Sequence, residues 1–258
     1  MEIGIQKPDG LVINPDLDWD EFQCAFSKTG RIRVDNVLTA GSAKSLYQYL
    51  VKSSRWRTFV VSRGRLLGTS LDEVAVSDTD REILEYAYEG ACSGFASVYD
   101  AGGTFADERA PSISLSDGST AIRTTYGEVP ADCSYGLNSA EFLEFVSFVI
   151  GVPELGGIST QATRLRPGHF VMFQSAIRTA DQSKTRCASL ELGLTPDWKP
   201  EWGGLLQFRN HHGGTIEGYP PCFNVLDLFI YPQGYWISPI APFAAGTRLG
   251  VSGRVYRK

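Results

Sequence analysis

Histidine is scarce in this chain: three occur in 258 residues, and methionine occurs only twice. That scarcity limits any metal centre built on imidazole. The five cysteines, Cys24, Cys92, Cys133, Cys187 and Cys222, are odd in number, widely spaced and free of any C-x-x-C pair. Neither a disulfide framework nor a structural zinc site has such spacing. No run of residues approaches the roughly 18 apolar positions of a membrane-spanning helix. No basic block occurs beyond the small cluster Arg254, Arg257 and Lys258, and the net charge is −5 with a pI of about 5.3. Nucleic acid is therefore not an expected partner. The phosphate loop, the dinucleotide-binding glycine fingerprint and the G-x-S-x-G nucleophile turn are all missing. The N-terminal stretch "MEIGIQKPDGLVINPD" lacks the apolar region of a secretory leader. The expectation is a reduced, soluble, cytoplasmic protein with no membrane association.

What is present is enough apolar sequence, 43% of the chain, for one large core. Residues 1–258 read as a single domain. Residues 1–158 form a helical, lid-bearing part and residues 159–258 a β-rich core. "GSAKSLYQYLVKSS" places Ala43, Leu46, Leu50 and Val51 at helical spacing behind Ser42 as cap. "SDTDREILEYAYEGACSGFASVY" reads as a helix from Ser77 to Tyr99, and "NSAEFLEFVSFVIG" as one capped by Asn138 or Ser139 and closed by Gly151. Between them, "DAGGTFADERAPSISLSDGST" reads as a long loop with short strand pieces, a candidate lid over residues 100–120. After Ser159, β-prone runs alternate with Gly/Pro turns, the spacing of a sandwich or barrel. The expected class is α+β, with N-terminal helices packed on one sheet.

The motifs "STQATRLRPGHFVMF", "LGLTPDWKPEWGGLLQF", "CFNVLDLF", "PQGYWISPIAPFA" and "RLGVSG" follow one another in order from Ser159 to Gly253. In this series the chain resembles the prolyl-4-hydroxylase-like branch of the iron(II)/2-oxoglutarate oxygenases. The resemblance implies a double-stranded β-helix, or jelly roll, and an iron centre of two histidines and one carboxylate. It places those three ligands on Gln174, Tyr235 and Ala176. An amide, a phenol and a methyl are poor ligands for ferrous ion. The resemblance also implies that Arg248 pairs with a carboxylate of 2-oxoglutarate. The serine expected two residues later is Gly250, and a tyrosine often found near the first turn is Leu165. No cofactor is therefore expected, and iron(II) and 2-oxoglutarate are disfavoured.

Strand alternation puts Gln161, Thr163, Met172, Gln174, Tyr235, Arg248 and Ser252 on the lining of the jelly-roll pocket. Tyr235 is the candidate general acid, or a base if Arg248 lowers its pKa, and Gln174 the candidate for orienting a carbonyl. Arg248, Gln161, Thr163, Met172 and Ser252 are the candidate substrate and carboxylate contacts. Equally, Tyr235 and Gln174 would fill the space left by iron, and Arg248 would form a structural ion pair. His169 is expected to face away from the pocket, and His211 and His212 to sit at a hairpin tip. Glu191, between Leu190 and Leu192, is expected to be covered or solvated rather than catalytic. Trp198 and Trp202 are expected to pack. The first functional reading is a repurposed, metal-independent enzyme acting on a small carboxylate-bearing amino acid, peptide or natural-product intermediate. It would perform non-oxidative cyclase, lyase or isomerase chemistry. The alternatives are a non-catalytic subunit with a ligand or protein partner, and an iron/2-oxoglutarate hydroxylase with unusual ligands, Asp181 among them.

Overall fold

The structure is a computed structural model, and it describes residues 10–53, 56–62, 65–69, 78–102, 112–114, 120–122, 136–174, 185–209 and 216–258. Four helices precede or intersperse the early strands: α1 (Trp19–Thr29), α2 (Ala40–Ser53), α3 (Asp78–Ser93) and α4 (Ala140–Ile150). The strands of the first part are β1 (Arg31–Asp35), β2 (Trp56–Ser62), β3 (Arg65–Thr69), β4 (Ala96–Gly102), β5 (Ser112–Ser114) and β6 (Thr120–Ile122). Those of the second part are β7 (Leu155–Leu165), β8 (Phe170–Gln174), β9 (Arg186–Leu194), β10 (Leu206–Arg209), β11 (Ile216–Tyr219), β12 (Phe223–Ile230), β13 (Tyr235–Ile237) and β14 (Arg248–Arg257).

The sheet runs β1-β12-β9-β14-β7-β4-β8-β13-β10-β11, with β2 joined to β4 and β3 to β2. Every pairing within it is antiparallel. This curled, antiparallel sheet with helices on one side is the jelly roll expected from the sequence. β4 links the two halves, pairing with β7 through Asp100–Gly102 and with β8 through Ser97 and Val98. Among the described residues β5 pairs with β6; β5 lies within the stretch expected as a lid and β6 begins at its end.

Period-two alternation sorts the long strands into two cores. On β14, Leu249, Val251 and Val255 join the core beneath α1, α2 and α4, which also holds Leu190 and Leu192 of β9 and Leu226 and Leu228 of β12. Phe142, Phe145, Val146 and Val149 of α4 enter the same core at helical spacing. The opposite face of the strands carries a second core inside the jelly roll: Leu165, Val171, Leu206, Phe208, Phe229 and Ile237, with Tyr99 and Tyr235 packed against it. A third, smaller cluster lies under α3.

Local chemistry sets the helix ends. Ser139 accepts the N–H of Phe142, and Gly151 closes α4 at φ 67°, as the sequence indicated. Asn138 instead anchors α4 to β7: its Oδ1 accepts the N–H of Ile158 and its amide donates to the Ile158 carbonyl. α2 begins two residues before the expected cap Ser42. Ser42 accepts the N–H of Val12, while Thr39 Oγ1 accepts the N–H of Ser42. α3 stops at Ser93, and the residues expected to continue it form β4 instead. Gly94 ends the helical run, and Ala96, Val98 and Phe170 then bury together as a sheet-side cluster. α1, capped by Asp18 with Asp20 and Glu21 in its first turn, is a helix that the sequence reading did not single out.

Candidate functional site in the jelly-roll interior

Registers align one polar side chain from each of five neighbouring strands. Arg33 stands opposite Asp227, Asp227 opposite Glu191, Glu191 opposite Ser252, and Ser252 opposite Gln161. Directly opposed residues share a face of the sheet, so this row crosses β1, β12, β9, β14 and β7 on the side away from the helices. Arg248 lies four residues before Ser252 on the same strand face, so it joins the row.

Glu191 is the centre of this row. It is 4% exposed, accepts a 2.7 Å hydrogen bond from Ser252 Oγ, and stands 3.9 Å from Arg248 Nη2. Burial pushes its carboxyl above the ordinary range, against the pull of Arg248 and Ser252. The sequence left it covered or solvated; it is covered, and the pairing with Arg248 is new. Its only sequence signal is an acid between two leucines of a central strand. Asp227, across from Glu191, is pushed up to about 6 by burial, then by Glu191 and Asp35, while Arg33 and Arg248 oppose the rise.

Tyr235 faces the same interior from β13. Its ring meets Phe229 at 5.0 Å and Phe208 at 6.4 Å. Burial, with Glu191 adding, pushes the phenol up to about 12 despite Arg186, Arg254 and Arg248. It is a proton donor at neutral pH, and the lowered pKa that would make it a base is not found. Arg186 donates to Ser189 Oγ and lies over the Tyr231 ring at 4.5 Å. Sequence reading missed Arg186 and Arg254, because their relation to Tyr235 exists only across strands.

Of the other expected lining residues, Thr163 is buried, and its hydroxyl has no hydrogen-bond partner among the described residues. Gln161 is half-buried beside Ser252. The backbone of Gln174 pairs with Tyr235. Met172 is not brought into the pocket. It packs under α3, where its sulfur accepts the N–H of Ala96. A bulge is the reason: Tyr235 pairs with Gln174 but Ile237 pairs with Val171, so β8 has one extra residue and alternation from 174 back to 172 fails. Ala176, Asp181, His211 and His212 lie outside the described residues.

His169 faces away from the interior, as expected. It is 2% exposed, with Nδ1 3.9 Å from Asp100. Asp100 also accepts from Thr58, Arg164 and Arg166, a buried network that ties β2, β4 and β7 together. Trp198 and Trp202 pack edge to face at 5.3 Å.

The described residues do not assemble the iron centre that the resemblance implies, and its carboxylate position, Ala176, lies outside them. Among the described residues no three His, Cys, Asp or Glu side chains cluster as ligands. The guanidinium expected to take 2-oxoglutarate already faces the protein's own carboxylate, Glu191. A side chain cannot be added at Gly250 without movement, because its Cβ would stand 2.8 Å from the Leu192 carbonyl oxygen. Leu165, 1% exposed, belongs to the aromatic core.

Comparison with known proteins agrees with the fold. Residues 168–255 match the family model of the 2OG-Fe(II) oxygenase superfamily. A prolyl-4-hydroxylase from Pseudomonas putida superposes with a TM-score of 0.56 at 14% identity, over 93% of this chain and 99% of that one. A 2OG-Fe(II) family oxidoreductase from Burkholderia pseudomallei gives 0.56 at 9% identity over 96% of each chain. A Trichoplax adhaerens prolyl hydroxylase, solved with a hypoxia-inducible factor peptide, gives 0.51 at 14% over 93% and 89%. A search of curated proteins gives no match. The chain thus has the fold of the prolyl-4-hydroxylase-like 2OG-Fe(II) oxygenases, and its second half carries the superfamily's sequence pattern.

Proposed function

We propose that this is an oxygenase-fold enzyme turned to metal-independent acid–base chemistry on a small carboxylate-bearing molecule. The observation that carries this reading is the polar row of the interior, where Glu191 accepts from Ser252 at 2.7 Å and stands 3.9 Å from Arg248, with Tyr235 packed into the same interior. Guanidiniums attract a substrate carboxylate and hold it by paired hydrogen bonds. Glu191 partly compensates Arg248, so Arg186 and Arg254 share the anchoring. Tyr235 then donates a proton to the oxygen on which charge develops, and Gln174, its partner across the strands, orients the reacting carbonyl. Donation by a phenol suits elimination, isomerisation or cyclisation, where a proton moves and no electrons pass to oxygen.

One observation favours a non-catalytic reading. The inner end of the jelly roll is filled by Phe208, Phe229 and Tyr235, and the cavity beside Glu191 and Arg248 measures only about 10 Å³. That is room for about one water molecule. A binding or partner subunit needs no more.

A screen of small carboxylates with chelator-treated protein, read by mass spectrometry, separates these readings. Turnover without metal that drops at least about a hundredfold in Tyr235→Phe supports the enzyme. Ligand binding without turnover supports the subunit. Turnover that needs ferrous ion and yields succinate from 2-oxoglutarate overturns both.

A further inference from the structure

A second cavity lies away from Tyr235, at the open edge of the sandwich. It holds about 330 Å³, between α1 and β1 on one side and β10 and β11 on the other. β1 and β11 are the two ends of the strand order, so no backbone ladder joins them. Side chains span the gap. Arg31 Nη2 pairs with Glu217 at 2.5 Å, and its guanidinium lies 5.4 Å from the Phe208 ring centre. Arg33 lies over Tyr219 at 5.1 Å and donates from Nη2 to the Pro220 carbonyl. The volume falls in the range of small-molecule sites.

Two polar groups in this cavity have unused bonding capacity. Arg33 Nη1 is buried and makes no hydrogen bond among the described residues. Asp227 Oδ1 stands 3.4 Å from it, a loose ion pair, and no hydrogen bond to the Asp227 carboxylate is found among those residues. A donor and an acceptor therefore sit side by side, above walls supplied by Phe22, Ala25, Phe208 and Phe229. We propose that this edge cavity binds a small molecule with an apolar body and a carboxamide or lactam edge. Its carbonyl accepts from Arg33 Nη1 and its N–H donates to Asp227.

Charge selects the amide over its relatives. A carboxylate would gain Arg33 but meet Asp227 and, nearby, Glu217. An amidinium would gain Asp227 but place its charge beside Arg33. A neutral amide satisfies both groups with no like-charge contact. Arg33, Tyr219 and Asp227 also line the small cavity beside Glu191 and Arg248, so an occupant here would touch the polar row of the interior.

The test is an NMR titration of the full-length protein with benzamide, benzoate and benzamidine as probes. Saturable shifts from benzamide, confined to α1, β1 and β10–β12 and weaker or missing with the other two probes, are expected. Asp227→Asn exchanges a charged acceptor for a neutral one of the same shape and should weaken benzamide binding roughly tenfold. Ala25→Phe, which fills the cavity from α1 and leaves the polar pair intact, should abolish it. Benzoate binding as well as benzamide, shifts elsewhere in the protein, no saturable response, or unchanged affinity in Asp227→Asn would each overturn the proposal.

Discussion

Replacing Asp227 by Asn should stabilise the protein above pH 6 and leave it nearly unchanged at pH 4. Asp227 is 13% exposed at its side chain, and its carboxyl rises from an ordinary 3.8 to about 6. Burial is the main cause, and the acids Glu191 and Asp35 add to it. A folded-state pKa above the unfolded one means that the native protein holds the proton more tightly. Stability therefore falls as pH rises from about 4 to about 6, and the charged form carries the penalty above that window. The size of the rise corresponds to about 3 kcal/mol. Asn has the shape of the protonated carboxyl and no charge, so the variant mimics the low-pH state at every pH. Arg33 keeps its bond to the Pro220 carbonyl and its stacking on Tyr219. Urea denaturation of both proteins at half-unit steps from pH 4 to pH 8 measures the gap directly. A gap that opens between pH 4 and pH 6 and then stays constant is the expected result. Equal stabilities at pH 7, or a variant less stable there than the native protein, would refute the reasoning.

Asp100 should behave in the opposite sense. Burial pushes its carboxyl up, but His169, Arg166 and Arg164 outweigh it and hold the group below its ordinary value. Its contribution is full above pH 4 and is lost as acid titrates it. Asp100→Ala leaves two guanidiniums facing each other across a buried site and should cost about 3 kcal/mol at pH 7, with a shallower acid branch in the denaturation profile. Gly250→Ser restores the hydroxyl that the resemblance expects, yet its Cβ meets the Leu192 carbonyl at 2.8 Å. It should cost about 1–3 kcal/mol in thermal denaturation and bring no 2-oxoglutarate binding by calorimetry.

The sequence by itself determined the architecture. Alternation along β14 and β9 put leucines and valines on one face and Arg248, Ser252 and Glu191 on the other, and the structure keeps that division. The Ser139 cap and Gly151 stop fixed α4 because capping is decided within a few residues. What failed were relations that depend on other segments. Helical spacing ran on through Phe95 to Tyr99, but pairing of β4 with β2, β7 and β8 claimed the residues from Ala96 onward for a strand. The bulge in β8 turned Met172 away from the interior, and one inserted residue leaves no mark on composition or period. Glu191 could be placed on its face from its neighbours, but its pairing with Arg248 and its opposition to Asp227 come from register alone. Period-two order is a property of one strand and can be read along the chain. Which charge faces which is set by the alignment of separate strands, and only the folded sheet decides it.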